Sequence, residues 1–213
     1  MDFLDKSIIN YTENHTAQPS GLLNKIERET YVQVLQPRMI SGHLQGRILS
    51  MFSNMIQPKH ILEVGTYTGY SALCMAEGLS QGGKLITIDI NSELENRVRK
   101  YISESEYEHM IDYQIGDAAQ LIPKIEHDLD LVFIDADKEN YLNYYDLVID
   151  KMKAGSFIIA DNVLWSGKVL EKAKRNDKET LALQKFNKTM HEDDRVENLL
   201  LPVRDGLTIL RVK

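Results

Sequence analysis

Two apolar segments of the chain end in side chains that carry oxygen ligands. Asp135 follows residues 130–134, and Asp161 and Asn162 follow residues 157–160. If the two segments are strands of one parallel sheet, the three side chains emerge at its carboxyl edge, where open α/β sheets bind ligands. Two carboxylates crowded together repel each other unless a positive charge lies between them. Hard divalent cations prefer carboxylate and amide oxygens, so the pattern predicts a metal site.

A second candidate site is a turn with two glycines that follows the predicted strand 60–64. Gly65 and Gly69 allow the backbone to approach a ligand closely where the strand gives way to a helix. Asp89 ends the next predicted strand, 24 positions after Gly65, and an acid about 20 residues beyond such a turn can bind ribose hydroxyls. Asp117 and Ala118 end the third predicted strand and are placed to border a base.

The glycine spacing favours a nucleoside ligand without phosphates. It does not match G-x-G-x-x-G, and the chain has no P-loop lysine motif. S-adenosylmethionine is such a ligand, and its sulfonium and ammonium groups suit a pocket that contains Glu63, Asp89 and Asp135. The alternative is that Gly65 and Gly69 only shape a tight turn and that Asp89 is an ordinary strand-end acid.

Alternating strand and helix patterns predict the framework that positions these residues. Strands are expected at 60–64, 84–89, 111–115, 130–134 and 157–160, with helices at 70–79, 93–103, from 118, and at 140–151. This alternation is typical of βαβ units, with a parallel sheet covered by helices on both faces. Residues 196–201 and 207–212 are too close in sequence for a helical crossover, so we expect them to pair antiparallel.

Residues up to about 57 are predicted to form helices that precede the first strand. Ser41 is the expected N-cap of the last of them, and Pro58 ends it. One face of this helix is marked at helical spacing by four apolar residues: Leu44, Ile48, Phe52 and Met55.

Composition indicates a single domain, residues 1–213, with N-terminal helices at 1–57 and a core at 58–213. The hydrophobic fraction of 43% supports a substantial core, and the net charge of −7 disfavours a general nucleic-acid binder. Cys74 is the single cysteine, which suits a reducing, cytoplasmic setting. The N-terminal residues do not read as a signal peptide, and no apolar run is long enough to cross a bilayer.

Five motifs occur in an order that resembles a known family: ILEVGTYTGYS, LITIDI, IGDA, VFIDADKENY and IIADNVLWSGKV. The chain resembles, over residues 37–213, the cation-dependent O-methyltransferases of the caffeoyl-coenzyme A and catechol type, including their small bacterial members. The resemblance implies a Rossmann-like class I fold that binds S-adenosylmethionine. It further implies a seven-stranded sheet with an antiparallel last strand, and a homodimer.

The resemblance also implies roles for individual residues. It places a divalent cation, Mg²⁺ first, on Asp135, Asp161 and Asn162, and it makes Lys138 the base beside Asp135. For S-adenosylmethionine it implicates a larger set: Met39, Ser41, Glu63, Gly65, Ser71, Asp89, Ala118 and Asp135. The glycine turn and the end of the third predicted strand add Tyr67 and Asp117 to the residues expected at the cofactor.

The chain departs from the animal catechol enzymes of that family at the expected substrate clamp. Asp137 stands where they have an aromatic residue before the lysine, and neither Pro37 nor Arg38 supplies another. Substrate identity is therefore not carried over from them. The charged segment 171–178 beside the site is either a lid that can meet a phosphate-bearing substrate or a solvated loop.

The leading hypothesis is Mg²⁺-dependent methylation of a hydroxyl on a catechol-like or phenolic small molecule. A second hypothesis is methylation of 5-hydroxyuridine in tRNA, against which the acidic net charge argues. Two further alternatives are an S-adenosylmethionine-binding module without catalysis and an NAD-dependent oxidoreductase. Methyl transfer to tRNA or to a catechol panel separates the first two.

Overall fold

A single seven-stranded sheet organises the computed structural model, which describes residues 5–213. The strands in chain order are β1 His60–Val64, β2 Lys84–Asp89, β3 Ile111–Ile115, β4 Leu129–Ile134, β5 Met152–Asp161, β6 Val196–Leu201 and β7 Leu207–Val212. Their order across the sheet is β3-β2-β1-β4-β5-β7-β6. The first five are mutually parallel, and β7 pairs antiparallel with both β5 and β6. The predicted α/β fold is confirmed, including its antiparallel last strand.

Helices cover both faces of the sheet. They are α1 Lys6–Asn14, α2 Gly21–Gln33, α3 Gly42–Ile56, α4 Tyr70–Ala76, α5 Glu95–Ser103, α6 Ala118–Leu121, α7 Tyr141–Ile149 and α8 Lys178–Glu192. Short 3-10 turns lie at Pro37–Met39, Ser92–Leu94, Glu108–Met110, Ile122–Lys124, Lys138–Asn140 and Trp165–Leu170. One apolar core joins the sheet to α7 and α8, and another joins its opposite face to α3 and α4. Among the described residues, no helix has the length and apolar character needed to cross a membrane.

Element boundaries differ from the sequence predictions at a few places. Strand β5 begins at Met152 rather than at 157. Gly155, which the sequence places before the strand, lies inside it with φ +93°. Helix α4 ends at Ala76, before Gly78, whose missing Cβ lets the backbone lie against Ser53 of α3. An added Cβ on Gly78 would be 2.2 Å from the Ser53 carbonyl carbon.

Of the predicted apolar face of α3, Ile48 and Phe52 pack against the core, whereas Met55 does not. Met55 is 73% exposed, and the fully buried positions of α3 are Gln45, Gly46, Leu49, Ser50 and Ser53. Small residues face the core because α3 packs closely on α4: a Cβ on Gly46 would come 2.6 Å from the Tyr70 ring and 2.9 Å from Cys74 Sγ. Ser41 does precede α3, but its side chain makes no capping hydrogen bond.

Strand register decides which side chains meet at the carboxyl edge. Ile134 of β4 pairs with Val64 of β1 on one side and with Ala160 of β5 on the other. The residues that follow these three positions therefore stand side by side. They are Gly65, Asp135 and Asp161.

Candidate active site

Lys138 is the buried centre of a polar cluster at the ends of β4 and β5. Its ammonium group donates to Asp135 Oδ1 at 3.2 Å, to Asn162 Oδ1 at 3.0 Å and to the Tyr141 hydroxyl at 2.6 Å. A lysine has three donors, and all three are satisfied here. Lys138 is only 6% exposed, so its ammonium group is fixed by these three contacts and not by water. The structure thus brings together three of the predicted residues: Asp135, Lys138 and Asn162.

Tyr141 fixes this lysine to the end of β5. Its hydroxyl donates to the Asp161 carbonyl oxygen at 2.9 Å while it accepts the hydrogen bond from Lys138. Burial raises the pKa of Tyr141 well above its usual value, and the neighbouring charge of Asp135 acts in the same direction. Tyr141 is therefore a neutral phenol that orients Lys138.

Asp161 is a buried carboxylate, 3% exposed, beside a second one. Burial raises its pKa well above the usual value of an aspartate, and the charge of Asp135 acts in the same direction. Its Oδ2 accepts from the Gln45 side-chain amide at 2.6 Å, and its Oδ1 from the Asn162 backbone at 2.7 Å. The hydrogen bond from Gln45 and the charges of Arg204 and Lys138 oppose the rise. The site therefore favours an additional positive charge near Asp161.

The chemistry of these donors fits a hard divalent cation. Within residues 5–213, no three His, Cys, Asp or Glu side chains form a metal-binding group. The predicted set contains two carboxylates and one amide, so its third oxygen comes from Asn162. Asn162 has φ +57°, a conformation that asparagine tolerates better than most residues. A cation bound here would take over oxygens of Asp135 and Asn162 that accept hydrogen bonds from Lys138.

Gly65 is required by the neighbouring strand end. It has φ +102°, and a Cβ at this position would lie 1.9 Å from the Asp135 carbonyl oxygen. Its backbone N–H donates to the Ile88 carbonyl at 2.9 Å. The close approach that the structure shows at this turn is between the ends of β1 and β4, whereas the predicted approach of the turn to a ligand stays a prediction.

Asp89 organises the glycine turn from the end of β2. Its Oδ2 accepts from the Tyr67 backbone at 2.7 Å and its Oδ1 from the Asn91 backbone at 2.8 Å. Tyr67 has φ +49°, and its hydroxyl donates to the carbonyls of Leu35 and Gln36 at 3.3 and 3.2 Å. Tyr67 therefore connects this turn to the segment that precedes α3.

Glu63 is a fully buried acid beneath the same turn. Burial raises its pKa to about 8, and the charges of Asp135 and Asp89 add to the rise, which the nearby hydroxyls of Ser71 and Thr87 oppose. Thr87 donates to its Oε2. Its Oε1 is buried without a hydrogen-bond partner. An unpaired carboxylate oxygen at this place suits a ligand that carries an ammonium group.

We define the strap as residues 37–41, the 3-10 turn Pro37–Met39 with Ile40 and Ser41. Met39 is 56% exposed, whereas Ser41 is buried. Arg204 holds the C-terminal end of the strap: its guanidinium donates to the carbonyls of Ser41 and of Ile40, the latter at 3.2 Å. The strap therefore spans from the glycine turn to the loop between β6 and β7.

The base-side residues of the prediction lie farther along the same edge. Asp117 is the N-cap of α6, where its Oδ1 accepts from the Ala119 backbone at 2.9 Å. Ala118 beside it is buried. Strand β3, which they follow, is separated from β4 by β2 and β1, so these residues are distant from the acid cluster.

Three residues that contact the predicted site or the strap were not predicted from the sequence: Gln45, Tyr141 and Arg204. Tyr141 carries a usable signal, because it stands three positions after Lys138 in the first turn of a predicted helix. Gln45 contacts Asp161, which is 116 residues away in the chain. Arg204 contacts Gln45 and Ser41, which are 159 and 163 residues away. No local pattern predicts such contacts.

Comparison with known proteins identifies relatives over most of the chain. A family model described as O-methyltransferase matches residues 13–213. A caffeoyl-CoA O-methyltransferase of Medicago sativa is 37% identical over 180 residues, which cover 78% of this chain and 72% of the relative. One from Eucalyptus globulus is 36% identical over 178 residues, with 78% and 72% covered.

Solved structures agree with this relationship. An SAH-bound methyltransferase of Podospora anserina superposes with a TM-score of 0.89 at 26% identity, covering 100% of this chain and 98% of the other. An O-methyltransferase of Bacillus cereus in complex with SAH also gives 0.89, at 25% identity, with 97% of each chain covered. Both agree with this chain in fold over essentially their whole length.

Proposed function

This chain belongs to the O-methyltransferase family and is an S-adenosylmethionine-dependent O-methyltransferase of the caffeoyl-CoA type, and from that premise we propose that it methylates a hydroxyl of a catechol-like or phenolic small molecule with the help of a divalent cation. The observation that carries this proposal is the convergence of Asp135, Asp161, Asn162 and Lys138 at one sheet edge. One buried acid and one half-buried acid beside a buried lysine are the parts that such a transfer requires.

The cation would be held by Asp135, Asp161 and Asn162, and Mg²⁺ is the first candidate because all three side chains present oxygen. A divalent cation stabilises the oxyanion of a phenol, whose pKa is otherwise near ~10 as in tyrosine. Two vicinal hydroxyls fit such a site better than one, because they chelate.

In this proposal the Lys138 ammonium first releases a proton to solvent, and the resulting neutral amine, with Asp135 beside it, accepts the proton of the attacking hydroxyl. Tyr141 keeps the amine at the end of β5, and the Lys138 ammonium lies 4.8 Å from the centre of the Tyr141 ring. Fixed placement of this kind is a large part of catalysis, because holding reactants in attack geometry contributes up to ~7–11 kcal/mol.

The cofactor would lie over the ends of β1 and β2. Glu63 Oε1 would offer the unpaired oxygen for the ammonium of the methionine end, to which we also assign Ser71 and the strap residues Met39 and Ser41. Asp89 would receive the ribose hydroxyls, with Gly65 and Tyr67 in the turn beside it. Asp117 and Ala118 would border the adenine.

We include acceptors that carry phosphate groups in the proposed substrate class. The curated relatives are named for caffeoyl-CoA, a catechol ester with a phosphate-rich carrier. Segment 171–178 is largely exposed and contains Lys172, Lys174 and Arg175, which suit such a carrier. A homodimer and a cytoplasmic location remain parts of the proposal that rest on the resemblance and on cysteine content.

Methyl-transfer profiling tests the proposal. Wild type and Asp161→Ala are incubated with labelled S-adenosylmethionine and a catechol panel, caffeoyl-CoA or bulk tRNA, each with Mg²⁺ or with EDTA. We expect catechol-type products from wild type, stopped by EDTA, and at least a 100-fold loss in Asp161→Ala. EDTA-resistant transfer, or a fully active Asp161→Ala, contradicts the metal assignment. Label in tRNA alone would replace the proposed acceptor.

A further inference from the structure

Arg204 has an unfavourable backbone conformation for an arginine. It lies between β6 and β7 with φ +50°, in the left-handed region that glycine adopts without strain. A non-glycine residue is retained there although its backbone conformation is disfavoured. Such an outlier motivates a search for what its side chain does.

The Arg204 guanidinium contacts two structures at once. It donates to the carbonyls of Ile40 and Ser41 in the strap, and through Nη1 to Gln45 Oε1 at 2.8 Å. Arginine has only donors in a rigid planar fork, so three acceptors around it fix its orientation. The turn between β6 and β7 is thereby attached both to the strap and to α3.

Gln45 continues the connection to Asp161. It is 1% exposed, and its amide nitrogen donates to Asp161 Oδ2 at 2.6 Å. Because Arg204 can only donate, the amide oxygen of Gln45 must face Arg204, and the amide nitrogen must then face the carboxylate. The orientation of the Gln45 amide is therefore set from both sides, and with it the position of Asp161 Oδ2.

Resting on the function proposed above, we propose that Arg204 is a positioning residue that couples the two ligand sites: it holds the strap over the cofactor and, through Gln45, aligns Asp161 for the cation. Both ligands would favour the same arrangement of Arg204, Gln45 and the strap, so either would bind more tightly when the other already stabilises that arrangement. Such coupling is reciprocal, since each ligand changes the affinity of the other by the same factor.

Calorimetry on the full chain measures this coupling without turnover. The dissociation constant of Mg²⁺ is determined with and without saturating SAH, and that of SAH with and without Mg²⁺. We expect each ligand to tighten the other by about fivefold or more in wild type, in the usual range of coupling factors. In Arg204→Gly we expect the dissociation constant of each ligand to change by less than about twofold when the other ligand is present.

The glycine variant separates positioning from folding. Glycine adopts φ +50° without strain, which offsets part of the cost of the three lost hydrogen bonds, so we expect Arg204→Gly to remain folded, as a thermal melt would show. Arg204→Lys retains the charge but not the fork and is expected to keep part of the coupling. Arg211→Ala removes an exposed arginine from the adjacent strand β7, whose partner is Glu197, and is expected to keep the wild-type ratio.

Gln45→Leu tests the route through which the coupling passes. It leaves the Arg204 contacts to Ile40 and Ser41 available, so SAH affinity alone should change little while the coupling disappears. Full coupling in Arg204→Gly or in Gln45→Leu overturns the inference and leaves the proposed function intact. A wild-type protein that binds SAH but not Mg²⁺ overturns both.

Discussion

The two edges of the sheet both carry charged side chains, but they differ in how these are held. The amino edge has a cavity of about 350 Å³ whose polar lining is His60, Lys84, Asp112 and His127. Lys84 and Asp112 are exposed there, and the His60 and His127 rings stack at 4.7 Å. At the carboxyl edge, Lys138 and Asp161 are 6% and 3% exposed.

Burial, rather than the presence of a cavity, distinguishes the edge to which we assign the chemistry. An exposed charge keeps its water and needs no fixed partner, so its geometry carries little information. A buried charge persists only where its partners hold it, and its placement is then specific. Matched substitutions at the two edges test this distinction.

The largest expected contrast is between the two lysines. Lys138→Met should lower kcat for methyl transfer by about 10²–10⁴-fold, the usual contribution of a general base. Lys84→Met should stay within about twofold of wild type, because its ammonium only contacts the His109 carbonyl at the other edge. Initial rates with a catechol acceptor measure both, and thermal melts confirm folding. Equal losses in the two variants would remove the distinction.

A second contrast compares glycines of positive φ. Gly65→Ala should destabilise the fold by about 3 kcal/mol or more, because its Cβ would collide with the backbone of Asp135. Gly82→Ala, in the turn that enters β2 at the amino edge, meets nothing within 4 Å and should cost only about 1–2 kcal/mol through its φ of +73°. Urea unfolding measures both. A Gly65→Ala variant as stable as Gly82→Ala would contradict the close approach.

The smallest contrast is in the pH dependence of stability. Burial raises the pKa of Glu63 to about 8, whereas an unfolded glutamate titrates near ~4.3. Between these values the folded protein binds a proton that the unfolded chain has released, so the free energy of unfolding falls as pH rises. From pH 5 to pH 8.5 the free energy of unfolding should therefore fall less in Glu63→Gln than in wild type. The expected difference between the two decreases is on the order of 2–4 kcal/mol.

Urea titrations without cofactor measure that difference at each pH. Asp112→Asn is the control for removal of a carboxylate from the amino edge. Identical pH slopes in wild type and in Glu63→Gln would show that Glu63 is ionised in the fold throughout this range, and the burial argument would then fail.

The sequence was sufficient for the presence and order of the strands, although not for the start of β5, and for the acids that end three of them. Apolar runs that stop at Asp89, Asp135 and Asp161 predict both the strand and the edge at which its last side chain appears, because the two signals are adjacent in the chain. Strand pairing then places Asp135 and Asp161 side by side without further information.

Periodicity failed where small residues pack. The stripe that ends at Met55 identified apolar residues of α3, whereas Gly46 and Ser53 make the closest contacts to α4 and its C-terminal turn. Arg204 and Gln45 could not be predicted for a different reason: their partners are distant in the chain and are selected only by the finished fold.

The most direct test of the carboxyl-edge site is anomalous diffraction from crystals grown with SAH and Mn²⁺, which substitutes for Mg²⁺ at oxygen sites. We predict a single strong peak among the side-chain oxygens of Asp135, Asp161 and Asn162. A peak confined to the amino-edge cavity beside His60 and His127, or no peak at the carboxyl edge, would contradict the assignment.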